Sequence, residues 1–305
     1  MSVIGFDTSN YTTSIAYFDG NDGVNCSRLL PVKQGELGLR QSDAVFHHTK
    51  SLPELSGRLF SHVQGRIEAV GVSTRPRAVE GSYMPCFTVG YSHAKLLSDA
   101  FGAPLFEVSH QQGHVAASLW SAGRLDLMDV PHLAWHLSGG TTELLLVEPE
   151  GRNVKCTRIG GTTDISAGQL IDRTGVMLGL QFPAGKHLDA LSKEAQGREV
   201  FKVKCPEMEF SLSGVQNKVQ QFHKDDPAET AAYALRCVAF AVYKATENAM
   251  KRYPGLEVVF SGGVASNSML RHLTADLHPV YCAPQYSTDN AMGVAVLTHR
   301  LMEEA

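Results

Sequence analysis

The chain has 305 residues, 43% of them hydrophobic, and 27 Lys+Arg against 31 Asp+Glu give a formal charge of −4. That balance excludes a protein that grips nucleic acid by bulk charge alone, and the length points to two domains or lobes rather than one small core. No apolar run approaches the roughly 20 residues of a membrane helix, and the opening MSVIGFDTSN has neither a basic segment nor a cleavable apolar stretch, so a cytoplasmic protein without membrane contact is expected.

Apolar runs at 3–6 and 14–18 flank the polar stretch Asp7-Thr8-Ser9-Asn10-Tyr11-Thr12-Thr13, a β-hairpin pattern that closes at 19–23. A polar helical stretch follows at 42–63, then a buried strand at 69–73, a helix at 89–100 and a short strand at 105–108. This alternation argues for an α/β fold. The hairpin design then returns: 133–137 is apolar, Ser138-Gly139-Gly140-Thr141-Thr142 is the turn, and 144–147 is apolar again. Two such hairpins, each opening a half of the chain, imply an internal duplication. Helices are expected at 167–178, 185–195, 213–223 and 228–251. A buried strand at 257–260 runs into Ser261-Gly262-Gly263, a helix starts at Ser268, and the final helix covers 290–302. The first lobe is expected at 1–130, completed by the helix at 290–305, and the second at 131–289. The six cysteines (Cys26, Cys86, Cys156, Cys205, Cys237 and Cys282) form no CxxC pair and read as small reduced side chains.

Three patterns bear on chemistry. The two Ser-Gly-Gly loops follow apolar strands, where glycines let backbone N–H groups approach an anionic oxygen. Either alone is also an ordinary tight turn; their joint occurrence, with Asp7-Thr8-Ser9 as a third loop, raises nucleotide binding. In His110-Gln111-Gln112-Gly113-His114, two imidazoles four residues apart share one face of a helix and can reach one metal ion, although helix histidines are commonly just hydrogen-bonded. Gln111 stands where a zincin carries its basic glutamate, so zinc-protease chemistry is disfavoured. Asp289 precedes the last helix as an N-cap or as a carboxylate for a metal. Asp164, Asp172 and Asp189 read as capping or solvated acids, with Asp172 set among apolar neighbours.

Together these motifs resemble the TsaD family of tRNA threonylcarbamoyladenosine transferases, also called glycoproteases, within the actin, sugar-kinase and Hsp70 (ASKHA) fold superfamily. Gly5-Phe6-Asp7-Thr8-Ser9 is similar to the family's G-I-E-T-S, His110 to His114 to H-x-E-G-H, and Leu137 to Gly140 to V-S-G-G. DRTGVMLGLQFPAG at 172–185 resembles F-D-K-x-A-x-x-L-G-L-x-Y-P-G-G, and Phe210 to Gly214 resembles F-S-F-S-G. Gly262 to Asn267 is similar to G-G-V-S-A-N, and Ser287 to Asn290 to C-T-D-N. The resemblance implies a duplicated two-lobed α/β fold with a nucleotide and metal cleft. It implies that His110, His114 and Asp289 share one divalent ion, iron or zinc. It also implies that Leu137, Ser138, Gly139, Gly140, Thr141, Asp172, Gly185, Asp189, Gly263 and Asn267 hold an adenylate, whether threonylcarbamoyl-AMP, ATP or AMP. The implied reaction carries the threonylcarbamoyl group to N6 of adenosine 37 in tRNA. TsaB-like and TsaE-like proteins are the implied partners, in a homo- or heterodimer.

The departures are local. The family's C-D-E-T is Asn10-Tyr11-Thr12-Thr13 here, which removes two acids and leaves no residue assigned as general base. Its G-P-G-L is Arg75-Pro76-Arg77-Ala78, Gln112 replaces the glutamate of the metal motif, and Thr141-Thr142-Glu143 replaces H-T-Q. Two other readings therefore accompany the transferase: a nucleotide-binding partner without turnover, and a carbamoyltransferase with a small-molecule acceptor.

Overall fold

The computed structural model describes residues 1–9, 11–31, 39–222 and 226–303. Asn10, expected in the first turn, and His223, expected at a helix end, lie outside the described residues. The chain divides into two compact units: Met1–Val130 with Glu148–Cys156 and Asp289–Ala305, and Pro131–Val147 with Thr157–Thr288. Residues 148–156 and Asp289, which fall inside the stretch 131–289, thus group with the first unit.

In the first unit, β1 (Ser2–Ser9) and β2 (Thr12–Phe18) form the expected antiparallel hairpin, with Val3 opposite Phe18 and Ser9 opposite Thr12. β3 (Gly23–Leu29) extends it, then come α1 (Gln41–Phe60), β4 (Ile67–Arg75), α2 (Phe87–Phe101), β5 (Leu105–Ser109) and α3 (His110–Ser121). β4 lies parallel to β1 and β5 parallel to β4, in the sheet order β3-β2-β1-β4-β5. Ile4, Phe6, Ile15, Val70 and Val72 pack against Leu52, Leu55 and Leu59 of α1 and Ala94 of α2. Each such burial contributes about 1.5–3 kcal/mol. Because side chains alternate along a strand, Asp7 points to the face opposite Phe6.

β6 (His132–Leu137), β7 (Thr142–Glu150) and β8 (Asn153–Thr162) repeat the hairpin and its third strand and, apart from residues 148–156, belong to the second unit. They are followed by α4 (Ala167–Met177), α5 (Gly185–Ser192), β9 (Glu209–Phe210), α6 (Ser213–Phe222), α7 (Pro227–Arg252), β10 (Val258–Ser261), α8 (Ser268–Leu273) and β11 (Val280–Tyr281). The sheet order is β11-β10-β6-β7-β8-β9. Apart from the short β9, this is the first sheet's order again: hairpin, then two parallel strands. Asp226 caps α7 through the N–H groups of Ala228 and Glu229, at 3.0 and 3.1 Å. The buried Trp135 indole donates to Thr246 of the same helix at 2.8 Å, which fixes α7 on the sheet.

The chain then returns to the first unit with α9 (Met292–Met302). Four strands went unforeseen: β9 and β11, of two residues each, and the longer β3 and β8. Both of the longer ones mix exposed polar residues among few buried ones, so neither shows a clean alternation. Among the described residues no helix is long and apolar enough to cross a membrane, and the six cysteines are free.

Candidate functional site

α3 starts one residue beyond β5 because Ser109 closes a capping box: its hydroxyl accepts from the Gln112 N–H at 3.2 Å, and its own N–H donates to Gln112 Oε1 at 2.9 Å. His110 therefore occupies the first helical position, with His114 one turn on. Their ring centroids are 4.3 Å apart and the rings nearly perpendicular.

Asp289 arrives from the other end of the chain. α3 and α9 meet at glycines: a Cβ on Gly293 would stand 1.8 Å from the Gly113 carbonyl oxygen, so the two helices close to a distance only glycine permits. The residues just before α9 are thereby carried to the start of α3. Asp289 Oδ1 lies 3.1 Å from His114 Nε2 and 3.5 Å from His110 Nε2. The N-cap position of α9 is Ala291, which makes no side-chain cap, so Asp289 is free of the capping role. One ligand atom from each of His110, His114 and Asp289 falls within 4.8 Å of the others. Two imidazole nitrogens and a carboxylate oxygen are a donor set suited to a divalent cation, and the residues fit such an ion.

Behind the trio stands Asp7, fully buried in the middle of β1. Its Oδ1 is 3.0 Å from His110 Nδ1 and accepts from the Ser73 hydroxyl, while Oδ2 accepts from Ser9 Oγ at 2.9 Å. Burial works against charge here, yet the surroundings win. His110 and Ser73 hold the Asp7 carboxyl below its ordinary range, and the two histidines hold Asp289 well below it. Burial likewise disfavours a charged His110 ring, but Asp7 and Asp289 push it up to about 10. Two buried carboxylates thus face one imidazole, surroundings that favour positive charge. Asp7, Thr8 and Ser9, expected in a polar turn and as a third loop, lie inside β1, and the approach of Asp7 to a histidine 103 positions away had no sequence signal.

The departures from the family pattern resolve into structure. Gln112 Nε2 donates to Val154 O at 2.8 Å, a bond a carboxylate cannot make. Thr13 lies in β2 with its hydroxyl 2.8 Å from His48 Nδ1, and the Tyr11 carbonyl accepts from Leu30 N–H at 2.8 Å. Arg75 ends β4, the Pro76 carbonyl accepts from Gln111 N–H at 3.0 Å, and Arg77 is exposed.

The residues expected to hold an adenylate all lie in the second unit. β10 runs parallel to β6, with Ser261 beside His136, so both Ser-Gly-Gly loops leave the same end of adjacent strands. Leu137 is buried at the end of β6, and a Cβ on Gly262 would stand 2.2 Å from its carbonyl oxygen. Ser138 and Thr141 close the turn through Ser138 N–H to Thr141 O at 2.8 Å and Thr141 N–H to Ser138 Oγ at 3.1 Å. Gly139, Gly140 and Gly263 are exposed. Gly168 of α4 lies against the loop backbone, where a Cβ would be 2.4 Å from Gly139 Cα. Asp172, on the same helix, accepts from Ala184 N–H at 2.8 Å and so fixes the turn before Gly185; burial raises its pKa. Asp189 Oδ1 takes bonds from Asn267 Nδ2 at 2.8 Å and from Ser268 N–H and Oγ at 2.9 and 2.8 Å. Asn267 is spent at both ends, since its Oδ1 caps α8 through Leu270 N–H at 3.0 Å. Asp164 instead holds the start of α6, accepting from Leu212 N–H at 2.8 Å and Ser213 Oγ at 2.6 Å.

With this geometry in hand, comparison with known proteins is specific. The profile of the tRNA N6-adenosine threonylcarbamoyltransferase family, TsaD, matches residues 35–296. The tRNA N6-adenosine threonylcarbamoyltransferase of Thermosipho africanus is 31% identical over 326 aligned residues, covering 100% of this chain and 95% of that one. Among solved structures, HypF of T. kodakarensis superimposes with a TM-score of 0.66 at 12% identity, over 99% of this chain but only 48% of that one. The ROK hexokinase of Thermus thermophilus superimposes over the whole of both chains with a TM-score of 0.53 at 14% identity. The structural likenesses establish the duplicated, two-lobed actin-like and sugar-kinase fold, and with the sequence matches they lead to one assignment: the chain belongs to the TsaD family.

Proposed function

We propose that this chain moves the threonylcarbamoyl group of threonylcarbamoyl-adenylate onto N6 of adenosine 37 in tRNA. The observation that carries the reading is the convergence, in a chain of this family, of His110 and His114 with Asp289, 175 positions beyond His114, their ligand atoms within 4.8 Å of one another. As the new C–N bond forms between N6 and the carbamoyl carbon, the C–O bond to the adenylate phosphate breaks, AMP leaves, and the amine gives up a proton. A divalent ion, iron or zinc, supplies Lewis-acid charge to phosphate and carbamoyl oxygens when bound.

The chain's own part is to bind and orient. The exposed backbone of Gly139, Gly140 and Gly263 offers N–H groups to the phosphate, with Leu137 and Thr141 framing the first loop. Asp172 and Asp189 face the ribose hydroxyls. Asn267 and Gly185 shape that wall, since Asn267 is committed to Asp189 and to the cap of α8. No residue is assigned to take the amine proton, because Tyr11 and Thr12 stand where the family has acids. With a formal charge of −4, the basic surface for tRNA is local, at Arg75 and Arg77, or comes from TsaB-like and TsaE-like partners in the cytoplasm.

The test is reconstitution with unmodified tRNA, threonine, bicarbonate, ATP and the partner proteins, followed by mass spectrometry of the digested nucleosides. Threonylcarbamoyladenosine is expected with the wild type and not with His110→Ala. Its absence where an authentic family member works overturns the reading. Tyr11 and Thr12 favour a second reading, nucleotide binding without transfer to tRNA, in which ATP or AMP raises the melting temperature but no modified nucleoside forms.

A further inference from the structure

We infer that Asp7 is the positioning residue of the metal site: it fixes the tautomer and orientation of His110 so that Nε2 is the atom presented beside Asp289. The inference rests on the metal reading proposed above and concerns a residue outside the ligand trio.

The argument is one of donors and acceptors. Asp7 Oδ1 accepts from the Ser73 hydroxyl and Oδ2 from Ser9 Oγ, so the carboxylate behaves as an acceptor on both oxygens. A histidine nitrogen 3.0 Å from Oδ1 must then be the donor, which places the proton on Nδ1. In neutral imidazole the other nitrogen, Nε2, carries the lone pair. Nε2 stands 3.5 Å from Asp289 Oδ1, so it is the ring atom that a cation shared with Asp289 would use. Asp7 thus selects the ring state that ligates a metal ion and makes that nitrogen more basic.

The support of Asp7 is itself rigid. It is fully buried in the central strand of a five-stranded sheet, and Ser73 comes from the neighbouring parallel strand β4. His110 cannot turn away without leaving a buried carboxylate one bond short. His114, the other histidine, is buried, with its side chain 3% exposed.

The test measures metal affinity and coordination directly, with Co²⁺ and Zn²⁺ as probes and chelator competition as readout. Asp7→Asn keeps the shape but turns part of the acceptor into a donor, and a 10–100-fold loss in affinity is expected, of the size usual for the outer partners of metal ligands, ~1.4–2.8 kcal/mol. Its Co²⁺ absorption spectrum should change. Asp7→Glu, which restores a carboxylate acceptor, should regain wild-type affinity and spectrum; a purely structural role would not follow that order. If Asp7→Asn fails to fold, Ser73→Ala is the second probe and should weaken affinity by a smaller factor with the melting temperature retained. Unchanged affinity and spectrum in a folded Asp7→Asn or Ser73→Ala variant overturn the inference. The parent reading is separated by His110→Ala with His114→Ala: if the double variant binds both ions like the wild type, the metal site itself is wrong. If it loses them while Asp7→Asn does not, only the role of Asp7 falls.

Discussion

The trio His110, His114 and Asp289 of the first unit is made of side chains, whereas the glycine loops of the second are made of backbone. The trio needs two segments, α3 and the approach to α9, to bring imidazoles and a carboxylate together, and its Asp289 lies 175 positions from His114. The loops need only a strand that stops and a residue without a Cβ. A side-chain site is therefore hostage to the packing of its unit. A backbone site is hostage to the space left above it.

The largest expected effect tests the first half of that contrast. Gly293→Ala places a methyl 1.8 Å from the Gly113 carbonyl oxygen, a backbone atom that cannot swing aside. α9 must shift away from α3, at a cost on the order of 3 kcal/mol by analogy with other overpacked interiors. Asp289 moves with it. Denaturant unfolding should show the lost stability and elemental analysis a fall in bound metal. A variant as stable as the wild type with full metal content would mean that the glycine contact does not place Asp289.

How much of this was legible follows the same division. The Ser-Gly-Gly loops could be read from sequence because strand, turn and glycine are adjacent along the chain. The helix carrying His110 and His114 could be read only as far as their spacing, and its capping box, Ser109-x-x-Gln112, went unread. Asp289 looked like an N-cap because that is what an aspartate before a helix commonly is. Only the approach of α9 to α3, set by Gly113 and Gly293, shows that it turns to the histidines. Asp7 was hidden for a related reason: read as part of a polar turn, it lies inside β1, and its partner comes from α3. The acids at 172 and 189 illustrate the limit from the other side, since their expected capping role is visible in the bonds to Ala184 and Ser268.

A smaller effect concerns the buried polar side chains that the first unit carries beyond the trio. Burial pushes the His48 imidazole down to about 4, against the pull of Asp7, and its Nδ1 sits 2.8 Å from the Thr13 hydroxyl. In the unfolded chain a histidine titrates near 6.5 (~6.5), so between that value and about 4 the unfolded state holds a proton that the folded state lacks. Stability contributed by the neutral ring is present above this window and is lost as the pH falls through it. Between about pH 7 and about pH 5 the loss attributable to His48 should be about 2 kcal/mol. Denaturant unfolding at the two pH values should show that difference in the wild type and a flatter dependence in His48→Gln. Equal slopes would remove His48 from the acid response of the unit.

The smallest effect on stability carries the sharpest statement about the second unit. Nothing lies within 4 Å of a Cβ built on Gly140, and its φ is not in the left-handed region, so the fold does not require glycine there. Gly140→Ala should change unfolding stability by no more than about 0.5 kcal/mol. A methyl on an exposed loop does meet whatever the loop's N–H groups hold. If these amides cradle an adenylate phosphate, the variant should bind ATP or AMP about tenfold more weakly, ~1.4 kcal/mol, in calorimetric titration while keeping its metal content. The two outcomes divide cleanly. Lost nucleotide affinity at unchanged stability assigns the glycine to the ligand, because the protein alone has no use for it. Unchanged affinity makes the loop an ordinary tight turn and moves the adenylate elsewhere, since an anion seated on backbone amides cannot ignore a carbon placed above them.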